Sequence, residues 1–431
     1  MPRLKWPRCK GRIASFNFAL SSTFAMPLPS FLNRPRRLLA GSAAVAAMLC
    51  SAAGAAAEDL FGVTVSNGTN TITVTSSNLF DLAEKVIESQ DEFSVFEGTD
   101  FTGSLDYANL EGAIVVTGNT ADTVRIQIPS IGFDRTFSDE DEAEEFLRNE
   151  GASTVAAFIQ VVNEQTLIGV TDGNPTALTA LMTDESFRLF AQPRNPFAGY
   201  AQGNDAGRLF VQGGFIETDI GDGTIIDGAF STGFKFTDHV GLTLSTPGSY
   251  RVIEDSATFT IGGILGVPIK FTPETNDNQP VLWQITPFGH VAGGGSEDQL
   301  SGGLVVGGGV TNLIGFKIGD FFLHSGQELA FYHGQPIEVS DFRFETDVDQ
   351  TIFKGDVGLT YGGFGDNSAY LQAGVKYTQF LEDAAIDNYV SPYVAVAFKL
   401  GGASSFRIGY RGDIADGFDT HRAELELRLA H

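Results

Sequence analysis

The segment His324-Ser325-Gly-Gln-Glu328-Leu-Ala-Phe-Tyr-His333 brings a hydroxyl, a carboxylate and two imidazoles into one short stretch. Serine with histidine is the pair that acyl transfer uses, provided the base lies within hydrogen-bond reach of the nucleophile. The stretch alternates like a strand, however, and adjacent strand residues point to opposite faces, so His324 and Ser325 are not expected to meet. No enzyme activity is expected from it. Asp219-Ile-Gly-Asp222-Gly looks like a turn able to hold calcium weakly, but no zinc or EF-hand spacing occurs, and neither metal nor cofactor is expected. Gly302-Gly303 and Gly307-Gly308-Gly309 lack the lysine of a phosphate loop and lie in strand-like sequence, where glycine permits tight curvature. The richest charge pattern is C-terminal. Lys376, Lys399, Arg407, Arg411 and Arg428 share one strand parity, with Asp413, Glu424 and Glu426 beside them. Such a face can be a ladder of cross-strand ion pairs that braces a wall. It can also line a conduit and set its ion selectivity.

The elements carrying these residues follow from composition and periodicity. The chain has 431 residues, 27 basic and 53 acidic, for a net charge of −26. Residues 1–57 contain basic residues and no acidic one. Arg34, Arg36 and Arg37 precede an apolar run, Leu38 to Cys50, that ends in Ala55-Ala56-Ala57, the layout of a secretory signal. Met26 would serve as a start giving that signal ordinary proportions. Residues 58–431 are then strongly acidic, which argues against a nucleic-acid partner. Both cysteines, Cys9 and Cys50, fall before residue 58, so the remainder has no disulfide or thiolate chemistry.

From residue 208 onward, short alternating segments recur between Gly, Asn and Asp clusters. They begin near Leu209, Ala229, Val240, Ala257, Val281, Gly302, Phe321, Thr351, Ala369, Tyr393, Phe406 and Arg422, about twelve in all. This spacing predicts an all-β sandwich or barrel. In the last four segments one face is apolar and the other small or charged, and with export this favours a closed transmembrane barrel over residues 208–431.

The final segment sharpens that expectation. Ala423, Leu425, Leu427, Leu429 and His431 occupy every second position to the end of the chain. The pattern resembles the terminal strand of Gram-negative outer-membrane β-barrels, with His431 where that class usually ends in phenylalanine. The resemblance implies an assembly signal at Leu425, Leu427, Leu429 and His431, residence in the outer membrane, and contact with outer-membrane lipids and the barrel-assembly machinery. Outer-membrane lipases and lipid A deacylases carry Ser and His on such barrels, which makes a lipid hydrolase one alternative.

Residues 58–192 predict a small α+β domain. Val63-Thr-Val65 and Ile72-Thr-Val74 flank Asn67-Gly68, suited to a tight hairpin. A second strand pair surrounds Gly118-Asn119. Leu79, Leu82, Ala83, Val86 and Ile87 form a helical stripe, as do Val155, Phe158, Ile159 and Val162. Ser138 is placed to cap a helix opening with Asp139-Glu140-Asp141-Glu142. A third helix, with Asn174 as cap and Pro175 at its first position, carries Leu178, Leu181 and Met182 and ends before Pro193. By its own pattern it completes the N-terminal domain. Its position before a barrel of about twelve strands is also similar to that in autotransporters, where a helix threads the translocator pore behind the secreted passenger. Residues 193–207 read as a linker. The function expected is a pore or transporter with a periplasmic or plugging domain. The main alternative is an autotransporter-like translocator displaying residues 58–170. Oligomeric state is not legible in the sequence.

Overall fold

A computed structural model describes residues 59–96, 98–119, 123–149, 151–193, 206–272, 281–296, 298–299, 301–335, 337–339, 342–344, 348–364, 369–401 and 404–430. The signal-peptide reading of residues 1–57 and the terminal His431 lie outside these, as does most of the linker.

The N-terminal domain is an antiparallel sheet in the order β2-β1-β3-β4-β5-β6. Its strands are β1 (Phe61–Ser66), β2 (Thr71–Ser76), β3 (Phe101–Tyr107), β4 (Leu110–Gly118), β5 (Val124–Ile128) and β6 (Phe133–Phe137). The β1–β2 turn is closed by Asn67, whose Oδ1 accepts the N–H groups of Thr69 and Asn70 at 3.1 and 2.8 Å, while Gly68 takes a φ of 82°. Helices α1 (Leu79–Glu88), α2 (Gln90–Phe93), α3 (Glu140–Asn149) and α4 (Ala152–Gln165) accompany the sheet. Asp139, rather than Ser138, caps α3: its Oδ1 accepts the Glu142 N–H at 2.8 Å. Ser138 instead donates its own N–H and hydroxyl to the Glu142 carboxylate, at 2.7 and 2.8 Å.

The second part is a closed antiparallel barrel of twelve strands. They are β7 (Ala206–Thr218), β8 (Gly221–Lys235), β9 (Gly241–Ile253), β10 (Ser256–Gly266), β11 (Val281–Ser296) and β12 (Ser301–Ile318). Next come β13 (Phe321–Gln335), β14 (Asp349–Phe364), β15 (Ala369–Phe380), β16 (Asn388–Gly401), β17 (Ser404–Ala415) and β18 (Phe418–Ala430). The last strand pairs with the first, Leu427 opposite Leu209, and β10 pairs with β11, Ile264 opposite His290, so no edge is left. Every strand keeps period two. Outward positions such as Leu209, Phe230, Phe259, Phe331, Val357 and Val394 are apolar and exposed. Inward positions such as Arg208, Gln212, Ser245, Lys354, Arg411 and Glu424 are polar and buried.

An even strand number puts Ala206 and Ala430 at the same mouth, here the first mouth. The turns Asp219-Ile220, Glu254-Asp255 and Asp416-Gly417 lie at the second. That second mouth is where the N-terminal domain docks. Leu60, Phe61, Leu82, Tyr107 and Ile168 share one apolar cluster with Ile216, Ile225, Ile253, Ile386 and Phe418 of the barrel rim. The Tyr107 hydroxyl donates to the Gln299 carbonyl at 2.7 Å, Ser77 to Asp255 at 3.0 Å, and the Asn78 amide to Asp298.

Candidate functional site, a helix held in a charged lumen

Helix α5 (Leu178–Phe190) does not complete the N-terminal domain, as its apolar stripe alone implied. The barrel wall encloses it, and every side chain from Leu178 to Arg188 is buried. The reason lies in its charged residues. Asp184, Glu185 and Arg188 could not be sunk into the small apolar core of an α+β domain, because unpaired buried charge is costly. The lumen supplies partners instead. Asp184 takes an ion pair from Lys354 and another from Arg411 Nη2 at 2.7 Å. Glu185 is held by Arg208 Nη1 at 2.7 Å and accepts the Ser245 hydroxyl at 2.8 Å. Ser186 donates to Glu328 at 2.6 Å, and Thr183 shares a 2.5 Å hydrogen bond with the Tyr332 hydroxyl. The Arg188 guanidinium lies 3.5 Å over the Phe210 ring.

The segment leading into α5 is fixed as firmly. Asn174 is not the cap, since the helix begins at Leu178 after Ala177. Asn174 Oδ1 accepts the Thr176 N–H at 3.0 Å and its amide donates to Gly169 O at 2.8 Å, which folds the preceding loop on itself. Arg251 of β9 enters that loop, donating to Ile168 O at 2.8 Å and to the Thr176 hydroxyl. At the same mouth Asp172 accepts from Thr179 at 2.7 Å and Gln350 at 3.0 Å. Burial pushes the Asp172 carboxyl up to about 6, against the pull of those hydrogen bonds.

The charged residues singled out from sequence all lie on inward-parity positions. Lys376, Arg411, Asp413, Glu424, Glu426 and Arg428 are buried, while Lys399 and Arg407 are half-buried. Arg407 pairs with Glu424 at 2.9 Å and Glu426 with Arg208 at 3.4 Å. Arg411 and Arg422 are directly opposite in register and share Asp413 between them, at 3.2 and 3.1 Å. Lys376 sits 5.9 Å from the Phe187 ring of the helix. Sequence reading missed Asp184, Glu185, Arg208, Asp227 and Lys354; the acidic pair followed by Arg188 was the available signal. Leu425, Leu427 and Leu429 hold the outward parity of β18, with Leu429 exposed.

The Ser–His stretch is dispersed by the pleat. Ser325 faces outward, within 2.5 Å of the Gln327 amide, and Glu328 faces the helix. His333 pairs with Asp349 at 2.6 Å at the second mouth. His324 points inward to Asp356 at 3.0 Å, and Tyr393 donates to the same carboxylate at 3.1 Å. Asp219 sits in a turn, where its N–H donates to Gly417 O at 3.1 Å, and no group of three potential metal ligands occurs among the described residues. The inward glycines make room for bulk as well as curvature. A Cβ on Gly262 would fall 2.5 Å from Met182 Sδ, and one on Gly266 2.2 Å from the Phe190 ring.

A closed ladder, an apolar outside and a polar inside decide the architecture. The fold is that of an outer-membrane β-barrel. No protein-family model matches the chain, and no curated protein does. Among solved structures, the translocator domain of the autotransporter NalP from Neisseria meningitidis is similar at 13% identity, with 59% of this chain and 97% of that one covered and a TM-score of 0.42. An outer membrane channel from Pseudomonas putida F1 gives 11% identity, 56% and 100% coverage, and a TM-score of 0.42. The β domain of the Bordetella autotransporter BrkA gives 12%, 52% and 99%, with a TM-score of 0.38.

Proposed function

We propose that this chain is an outer-membrane translocator that keeps its N-terminal α+β domain on the external face, tethered through its own barrel. One observation carries the reading. The domain docks at the second mouth, the first barrel strand starts at the first mouth, and α5 is the covalent link running between them. A chain delivered from the periplasm and crossing the membrane an even number of times keeps both barrel ends on the side of delivery. The first mouth is then periplasmic and the domain external. A resting pore fits less well, because α5 fills the lumen and its charges are already paired with the wall. Once the helix is removed, the same wall becomes an ion-selective lining.

Residues 58–431 contain no cysteine, so single cysteines report topology cleanly. Thr69→Cys, at the exposed β1–β2 turn, should react with a membrane-impermeant maleimide in intact cells. Asp320→Cys, at the first mouth, should react only after the outer membrane is permeabilised. The reverse pattern would place the domain in the periplasm and return the reading to a plugged pore. In planar bilayers, protein lacking residues 59–190 should conduct, and replacing Arg407 and Arg411 with Ser should move its preference toward cations.

A further inference from the structure

A cavity of about 710 Å³ opens in the N-terminal domain, and none of the residues lining it belongs to the barrel. Its size falls within the range of small-molecule sites. The floor is one end of the sheet, where Val65, Val116 and Val124 stand on β1, β4 and β5. In the cross-strand row from Val65 to Val116 the intervening residue is Gly103, which contributes no side chain to fill the space. Three phenylalanines enclose it: Phe93, Phe96 and Phe101. Gly118 is what admits the last of these, since a Cβ there would lie 2.3 Å from the Phe101 ring. Thr99, Asn119 and Thr123 add polar groups, Asp139 and Asp141 the charge, and among the described residues no Lys, Arg or His takes part.

We propose that this cavity binds a small organic cation with an apolar body. Aromatic ring faces attract a cation through their quadrupole, and apolar walls take up its hydrocarbon part. Asp139 is fixed at the rim by its hydrogen bond from the Glu142 N–H, and Asp141 beside it is exposed. An anion would meet two carboxylates with no counter-charge. A neutral apolar ligand would cover those carboxylates without pairing them, at a cost in desolvation.

The test uses the full chain in lipid nanodiscs, titrated calorimetrically with benzyltrimethylammonium, phenylacetate and benzyl alcohol. The expected result is saturable one-to-one binding of the ammonium, with the other two at least about tenfold weaker, the combined effect of a cation–π contact and two exposed carboxylates. Asp141→Asn should weaken the ammonium by about two- to fivefold. Asp139→Asn, which keeps a competent helix cap, should do the same. Thr123→Trp, at the rim, should abolish binding by filling the space, while circular dichroism confirms the fold. Equal binding of phenylacetate, no saturable binding of the ammonium, or undiminished binding by Thr123→Trp would each overturn the proposal. Nanodiscs expose both faces of the membrane, so this outcome is independent of which side the domain occupies in cells.

Discussion

The lumen has two unlike walls. On β10, β11 and β12 the charged side chain of inward parity among the described residues is Lys317, at the first-mouth end of β12 and away from the helix core, and α5 meets this wall with apolar groups. Leu178, Met182 and Phe190 pack with Ile264, Phe288, Ala292 and Val305. Each of β14 to β18 and β7 carries at least one inward Lys, Arg, Asp or Glu, and Lys354, Arg411 and Arg208 among them meet Asp184 and Glu185. The apolar wall removes surface from water but tolerates sliding, because the hydrophobic effect has no direction. The charged wall adds little net stability, since desolvation offsets attraction. It does fix depth and rotation, because a displaced helix leaves charges unpaired. One wall retains the helix and the other sets its register.

Breaking the charged wall should have the largest effect. Asp184→Asn strips the counter-charge from Lys354 and Arg411 and should cost ~3–5 kcal/mol. The readouts are the urea midpoint of vesicle-inserted protein, followed through Trp283 fluorescence, and the appearance of conductance. An unchanged midpoint would mean that the pairs do not hold the helix. The outside of that same wall should resist charge nearly as strongly. Val394→Arg, in the middle of β16 and facing lipid, should lower the same midpoint by ~2–4 kcal/mol. Leu427→Arg, near the first mouth, should cost only ~0–1 kcal/mol. Equal costs would contradict a bilayer midplane near Val394 and an interface near Leu427.

On the apolar wall the expected change is smaller. Gly266→Val forces a methyl group into the Phe190 ring and should cost ~1–3 kcal/mol by overpacking. It should loosen the helix without moving its register, so a Ser186→Cys reporter should label faster while the Asp184 pairs persist. The smallest effect concerns pH at the second mouth. The folded value of Asp172, about 6, is raised above its ordinary one, so the protonated form favours the docked loop. That contribution is complete below pH 4 and is lost as pH rises through 6. Protection of residues 166–177 from hydrogen exchange, taken relative to the intrinsic base-catalysed rate at each pH, should therefore fall above pH 6, and Asp172→Asn should remove that fall.

Strand positions were legible because alternation is local. The readings that began at Val281, Phe321 and Ala369 coincide with observed strand starts, and the others fall within five residues of one, except Ala229, which lies eight residues inside its strand. Ala229 is the furthest out, since Gly221–Thr224 at the start of β8 carry almost no alternation. The parity of Lys376 to Arg428 was readable for the same reason. Helix α5 was misplaced because Leu178, Leu181 and Met182 make the same stripe in any packed helix. What separates this one is acid within and beside that stripe, Glu185 falling seven residues after Leu178 and Asp184 next to it, and their partners Arg208, Lys354 and Arg411 are remote in sequence. Strands β3 and β6 went unread, as Gly103 and Arg135 interrupt their apolar alternation.

Threading has a mechanical consequence. A folded sheet of six strands is wider than a lumen that one helix fills, so the chain resembles a ring on an axle with a stopper at one end. Even if every contact between the N-terminal domain and the rim were lost, the domain could neither diffuse away nor retract. Separation requires unfolding the stopper, opening the ring or cutting the axle. Its attachment is therefore governed by a rate rather than by an affinity.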